Sequence, residues 1–286
     1  MNPDQYCHDK AAPRGSSLYY SLLPLEAQRR RPLIALHALL RELNEIVEEC
    51  HDQGVAIRKL DWWREELGRL YAGCPQHPVT RALAAALERT PLAREHFQEL
   101  LDGTAMDLAY DAYPSFAQLA LYGHRLGSTP ALLAAEILGM RDRQTSRFAH
   151  ELGMALLLAR LLLQVRRHAR QGRFYIPEDE LARFGLGQAD LLKSQGDERT
   201  RALFAFQAER VHDTWKRALE LLPEADRAAQ LPQIILAELA MARLAEVEAD
   251  GYALLERRVR LTPLRKLWLA WRVQRRERRR TRQAAA

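Results

Sequence analysis

The stretch Leu152-Gly153-Met154-Ala155-Leu156-Leu157-Leu158-Ala159-Arg160-Leu161-Leu162-Leu163-Gln164-Val165-Arg166-Arg167-His168-Ala169-Arg170-Gln171-Gly172-Arg173-Phe174-Tyr175-Ile176-Pro177 decides how this chain folds. Leucine and alanine dominate its first half, and both are strong helix formers. A membrane span needs about 20 consecutive apolar residues. The closest run, Ala155–Val165, is interrupted by Arg160. The stretch is too long for a strand, so it is predicted to be a buried helix of a soluble protein, starting near Gln144 and closed by Gly172. Arg160, Gln164 and His168 stand at i, i+4 and i+8, on one stripe of that helix.

The same punctuation works outward in both directions. Pro24 and Gly54 bracket a helix over Leu25–His51, whose apolar positions 33, 36, 39, 40, 43, 46 and 47 follow helical spacing. Further helices are predicted over Val55–Tyr71, from Pro78 through Ala86, from Pro91 through Leu108, over Phe116–Leu126 behind a Ser115 cap, and over Pro130–Leu138. Glu178–Phe184, Asp197–Leu222 and Leu231–Glu256 complete the set. Runs of Val, Ile and Thr with period two are missing, which excludes a sheet. With 286 residues, 48% of them hydrophobic, and only 14 Gly and 13 Pro, the chain reads as one all-α domain, a single-domain helical bundle with short loops. Its expected divisions are a polar N-terminal segment 1–14, a helical domain 15–266 and a basic tail 267–286.

Three cysteines, Cys7, Cys50 and Cys74, are too few and scattered for a disulfide framework and suit a reducing cytoplasm. Each has a histidine near it (His8, His51, His77), but the spacing matches no zinc-finger pattern, and free thiols are the plainer reading. Residues 1–14 have no apolar core of a signal peptide. The formal net charge of +6 is concentrated beyond Arg257 and ends in Arg275-Arg276-Glu277-Arg278-Arg279-Arg280-Thr281-Arg282. Such a tail is either a solvated, frayed helix end or a contact for anionic lipid or nucleic acid. The segment Leu261–Arg272 that precedes it mixes Trp and Leu with cations as interfacial helices do, which favours peripheral contact with the inner membrane face. No nucleic-acid signature is present, so nucleic acid is not expected as a partner.

Several strings together resemble the squalene/phytoene synthase family. They are Ser16-Ser17-Leu18-Tyr19-Tyr20, the helix around Ala35–Arg41, the tryptophan helix Leu60-Asp61-Trp62-Trp63-Arg64-Glu65-Glu66-Leu67 and the following His77-Pro78-Val79. Asp102-Gly103-Thr104-Ala105-Met106-Asp107-Leu108 and Gly172-Arg173-Phe174-Tyr175-Ile176-Pro177 complete the set. The resemblance runs from about Ser16 to Lys266. It implies the isoprenoid-synthase fold, a helical bundle around a central apolar cavity. It also implies head-to-head joining of two prenyl diphosphates, with Mg²⁺ neutralising the departing diphosphate on Asp-x-x-x-Asp motifs of two facing helices.

The chain departs from that pattern where the metal would sit. The first motif reads Asn44-Glu45-Ile46-Val47-Glu48-Glu49, leaving Glu45 and Glu48 as candidate metal ligands or catalytic carboxylates, against the plainer reading of a solvated acidic face. The second has Leu157, Arg160, Gln164 and His168 where the family has Gln, Asn, Asp and Asp, and no carboxylate lies between Gly153 and Arg173. A dication about 6 Å from one arginine, at an effective dielectric near 20, is repelled by roughly 5 kcal/mol. No cofactor is therefore expected unless the altered motifs still form a Mg²⁺ site. His37, Ala105 and Pro130-Ala131 also differ from the family, whereas Arg41, Asp107, Arg173 and Tyr175 are retained. The resemblance makes Arg41, Arg160, Gln164, Arg173, Tyr175 and Tyr19 the candidate diphosphate-binding residues. His168 is a candidate acid or base, against the plainer reading of a structural histidine.

Two site arrangements follow. In one, Glu45 and Glu48 pair with Arg160 or a neighbouring arginine and close the site. In the other, Arg41, Arg160 and Arg173 grip a diphosphate or lipid head without metal. The expected function is a degenerate homologue with weak or no prenyltransferase activity, binding a prenyl diphosphate, isoprenoid or lipid, or serving a protein partner at a membrane. The alternative is an active squalene, phytoene or presqualene diphosphate synthase-type transferase on farnesyl or geranylgeranyl diphosphate, with an altered metal site.

Overall fold

In the computed structural model, residues 2–50 and 52–284 are described. His51, the histidine beside Cys50 and the expected last residue of a helix, lies outside them. The helices are α1 (Pro3–Ala11), α2 (Ser17–Leu22), α3 (Ala27–Glu49), α4 (Gln53–Tyr71), α5 (Pro78–Leu87) and α6 (Arg94–Ala109). Next come α7 (Phe116–Gly123), α8 (Thr129–Leu138), α9 (Gln144–Leu163), α10 (Val165–Arg170) and α11 (Glu178–Arg183). The chain ends with α12 (Glu198–Leu221), α13 (Glu224–Arg227), α14 (Leu231–Ala249) and α15 (Pro263–Ala284). Among the described residues there is no strand, only an isolated bridge between Ala112 and Phe174.

Capping explains several starts. The side chains of Asn2, Ser16, Asp52 and Asp197 each accept a hydrogen bond from a backbone N–H in the first turn of the helix they precede. Ser115 holds the cap position of α7 without such a bond. The polar segment before residue 15 forms α1. It packs on α3 and α5 and buries Cys7.

The long helix predicted over Gln144–Gln171 is broken at Gln164, whose φ of −118° and ψ of 11° leave the helical region. Its N–H is shared between the carbonyls of Arg160 and Leu161, a tightened turn that lets α10 restart at once. The helix predicted to reach Glu256 stops instead at Ala249, where Gly251 and Tyr252 take positive φ values of 65° and 60°. Beyond Pro263 the basic tail continues as one helix through Ala284.

Helix α9 is the axis of the bundle. It packs along α12 and touches α8, α14 and the π-helical segment His124–Ser128 that joins α7 to α8. Gly127 and Gly153 allow that crossing: a Cβ built on Gly153 would lie 2.2 Å from the Gly127 carbonyl oxygen. Ser128 Oγ then donates to the His150 carbonyl at 2.8 Å, fixing the register. One core cluster is built by α1–α6 with α8, and two others join α9 to α12 and α14.

Candidate functional site

The pocket at the mouth of the bundle lies between α3 and the α9–α10 junction. From α3 it takes Arg41, Asn44, Val47 and Glu48. Arg160, Leu161, Gln164, Arg167, His168 and Gln171 come from α9 and α10, so the stripe 160/164/168 stays on one side despite the break at Gln164. Gly172, at φ 73°, ends α10 and turns the chain into an extended stretch in which residues two apart share a side. Arg173 and Tyr175 thereby enter the pocket together, joined by Asp107 of α6 and Tyr122 of α7.

Asp107 is the buried anchor. Tyr175 Oη donates to its Oδ1 at 2.7 Å and Tyr122 Oη to its Oδ2 at 2.8 Å. Arg173 donates to its backbone carbonyl. Burial pushes the Asp107 carboxyl above the usual range, and the two tyrosine hydroxyls with the charges of Arg173 and Arg160 offset this only in part.

The two glutamates of the first motif part company. Glu48 Oε2 accepts from Arg167 Nη2 at 2.5 Å across the pocket. Burial raises its pKa, but hydrogen bonds from Asn44 and Arg167 and the charges of Arg167 and Arg41 outweigh burial and hold the carboxyl below its ordinary value. Glu45 does not line the pocket. Lys10 of α1 holds its Oε2 at 2.6 Å and also takes Glu42 Oε1 at 2.9 Å, turning Glu45 toward α1. Arg160, expected as a partner for these glutamates, pairs with neither. Tyr19, on α2, is also outside the pocket lining, its ring edge-on to Tyr20 at 5.3 Å.

His168 stands edge-on to Tyr175, with ring centroids 4.9 Å apart. Burial, with the charges of Arg160 and Arg167, pushes its pKa down to about 3, so the imidazole is neutral near pH 7. Its Nδ1 is buried without a hydrogen-bond partner. The neutral ring keeps one N–H and one bare nitrogen, and so low a pKa makes that bare nitrogen a weak base near neutrality.

Four guanidinium groups, from Arg41, Arg160, Arg167 and Arg173, face the carboxyls of Glu48 and Asp107. Arg41 and Arg160 have no carboxylate within 4.0 Å among the described residues. This balance suits an anion. It does not suit a hard dication: Glu48 is already bonded to Arg167, and both Asp107 oxygens accept from tyrosines. Among the described residues no group of three or more His, Cys, Asp and Glu side chains is placed to hold a metal ion.

The polar pocket has a volume of about 70 Å³. An apolar pocket of about 20 Å³ adjoins it past His168 and Tyr175, closed by Leu119, Leu158, Leu161 and Leu162. The apolar cavity expected of the fold thus lies at the bundle centre, but it is far smaller than the roughly 300–1,000 Å³ of ordinary ligand sites. An isoprenoid chain would have to part the leucines of α9 from those around them.

The pattern of the family described as squalene/phytoene synthase matches residues 11–265, nearly the whole chain. The chain belongs to the squalene/phytoene synthase family. Within that family it is 28% identical over 275 residues to a 15-cis-phytoene synthase of Synechococcus elongatus, covering 91% of this chain and 89% of the relative. It is 31% identical over 258 residues to a phytoene synthase of Mycobacterium tuberculosis, covering 89% and 84%. A crystal structure of a dehydrosqualene synthase in complex with ligand superposes with a TM-score of 0.84 over 96% of both chains, at 22% identity. The squalene synthase HpnC from Alicyclobacillus acidocaldarius gives 0.75 over 87% of this chain and 94% of that one, at 23% identity. Both structures share the all-α fold.

Sequence reading placed Arg41, Arg160, Gln164, Arg173 and Tyr175 in the diphosphate site, and all five line the pocket. It left Asp107, Tyr122 and Arg167 out of the site. Asp107 sits in a string already matched to the family and was noted there as retained, so the signal for it was there; Tyr122 lies in none of those strings. Arg167 stands at i+7 from Arg160 and i+3 from Gln164, so helical spacing puts it on the same side, and the sequence reading allowed for it only as an arginine neighbouring Arg160.

Proposed function

We propose that this family member binds the diphosphate end of a prenyl diphosphate through its arginines without magnesium, and has weak or no head-to-head transferase activity. The Glu48–Arg167 bond carries the reading. It joins the two helices on which the family resemblance would place facing carboxylates, and a guanidinium occupies the side where metal charge would be needed. A diphosphate would compete with Glu48 for Arg167 and add forked hydrogen bonds from Arg41, Arg160 and Arg173. The neutral His168 and Tyr175 stand where the polar pocket meets the apolar one, the level at which the first carbons of a chain would lie.

The test is isothermal titration with farnesyl diphosphate in Mg²⁺ and in EDTA, beside a product assay with farnesyl and geranylgeranyl diphosphate. Equal affinity in both buffers and no head-to-head product is the expected result. Arg160→Gln should weaken binding about 10- to 100-fold, the cost of losing a charge-assisted hydrogen bond.

A second reading is favoured by the relatives that carry the name phytoene synthase at 31% identity: an active prenyltransferase with a rearranged metal site. Magnesium-dependent binding together with product would establish it. Asn44→Asp, Gln164→Asp and His168→Asp in one chain separate the two. A binder should gain Mg²⁺ affinity from them, whereas an adapted enzyme should lose activity.

A further inference from the structure

Helix α15 lies almost wholly beyond residue 265, where the family match ends. Its two faces have different fates. Leu269, Ala270, Val273 and Glu277 are buried against the bundle, chiefly on α14 and α2. At 100° per residue, Leu264, Leu267, Trp268 and Trp271 fall on the opposite face. They are 79%, 44%, 51% and 51% exposed. One turn further on, the same outward face becomes cationic through Arg272, Arg275, Arg278, Arg279 and Arg282, none of which has a carboxylate within 4.0 Å among the described residues. Arg272 covers the Trp268 ring at 4.7 Å and Arg275 the Trp271 ring at 5.2 Å, so aromatic and cation form one continuous surface. An open groove lined by Trp271, Arg272, Arg275, Arg276, Arg279 and Arg280 runs along it.

We propose that this outward face of α15 docks on an anionic phospholipid bilayer, with the leucines and tryptophans at the acyl boundary and the arginines among the headgroups. Charge and apolarity together select this occupant. A solvated helix end gains nothing from two exposed tryptophans and two exposed leucines, whereas indole rings at the headgroup level satisfy both their apolar body and their N–H. A second copy of the chain would set one row of arginines against another, which like-charge repulsion opposes. Nucleic acid would pair with the arginines but would leave Leu264 and Leu267 in water. Docking is by a surface helix and not a span, because among the described residues no helix is long and apolar enough to cross a membrane. The inference stands apart from the proposed ligand of the pocket.

The experiment is flotation of the full chain with phosphatidylcholine vesicles and with mixed phosphatidylcholine/phosphatidylglycerol vesicles, read also by tryptophan emission. Binding to the anionic vesicles alone, a blue shift on binding and weakening with added salt are expected. Arg275→Gln with Arg279→Gln should cut partitioning about fivefold per arginine. Trp268→Ser with Trp271→Ser should abolish the blue shift. Trp62→Ser, on α4, should change neither. No binding to anionic vesicles at low salt, equal loss in Trp62→Ser, or retention of a single-stranded RNA in place of vesicles would each overturn the proposal.

Discussion

A guanidinium that already holds a carboxylate is a poorer receptor for a phosphate than a free one. Glu48 therefore competes with any anion that enters the pocket, while Arg41 and Arg160 stand ready for it. Glu48→Gln should raise the affinity for inorganic pyrophosphate about three- to tenfold by calorimetry, through one charge removed a few ångströms from the anion. The same change should move stability by about 1 kcal/mol or less, since the pair is partly exposed. Unchanged or weaker pyrophosphate binding would show that Glu48 is not the competitor. Two histidines, His168 in the pocket and His37 outside its lining, also set an acid limit on stability. His37 is pushed down to about 4 by burial, and His168 to about 3, from an ordinary 6.5. Between those values the unfolded chain binds more protons than the folded one, so stability is full above about pH 6.5 and is lost as pH falls toward 4. Asp107, raised by burial, has the opposite sign: the folded chain holds its proton more tightly, which favours the folded state as pH falls toward the carboxylate range. Thermal melts from pH 8 to pH 5 should show a falling midpoint below about 6.5, with a shallower fall in His168→Asn. A flat profile would mean that neither ring is held neutral by the fold. The stripe of Arg160, Gln164 and His168 was legible because helical spacing alone puts them together. Glu45 was not, because its direction is fixed by Lys10, 35 positions away in α1.

At the scale of elements, the pocket depends on where α9 lies, since Arg160 and Gln164 ride on it. The Gly127–Gly153 contact sets that position, with backbone against backbone and no side chain free to yield. Gly153→Ala should destabilise the chain by roughly 2–3 kcal/mol or more, as overpacking of a rigid contact does. It should also weaken pyrophosphate binding, because α9 must move off the π-helical segment. A denaturant titration checks the first claim and calorimetry the second. A neutral result in both would mean that the two helices can slide apart without consequence. Helix existence could be read from the sequence because caps, prolines and glycines mark most ends: Asp197 begins α12 and Gly172 follows α10. The break at Gln164 could not, since Leu163-Gln164-Val165 contains no local breaker. There the backbone is bent by its packing, not by its composition. The polar first segment could have been read as a helix from Asn2-Pro3-Asp4, which sets a capping side chain, a proline at the first helical position and an acid in the first turn.

For the whole molecule, the question is what fastens α15, a helix with 22 residues and a strongly cationic end, to the bundle. Its apolar inner face is short, only Leu269, Ala270 and Val273, and ends before the arginine run begins. Beyond it the link is ionic. Arg227 Nε donates to Glu277 Oε2 at 2.8 Å, both residues being 4% exposed, and Arg276 Nε donates to the other Glu277 oxygen at 3.0 Å. Glu277 is thus the one buried acid in a basic helix, and its pKa is held down by both arginines against the upward push of burial. Removing it would leave the Arg227 guanidinium buried and unpaired, which costs about 3–5 kcal/mol when the pair is well buried. Glu277→Ala should therefore lower the unfolding free energy by about that amount, or release the end of α15 instead of bearing the cost. Limited trypsinolysis distinguishes the two, since release would expose Arg278, Arg279 and Arg280 to early cleavage with little loss of midpoint. Arg227→Met with Glu277→Leu should recover most of the stability, because an apolar pair of similar volume carries no desolvation penalty. If Glu277→Ala changed neither midpoint nor cleavage, the three apolar residues would suffice to hold the helix, and the ion pair would serve only to fix which face of α15 turns outward.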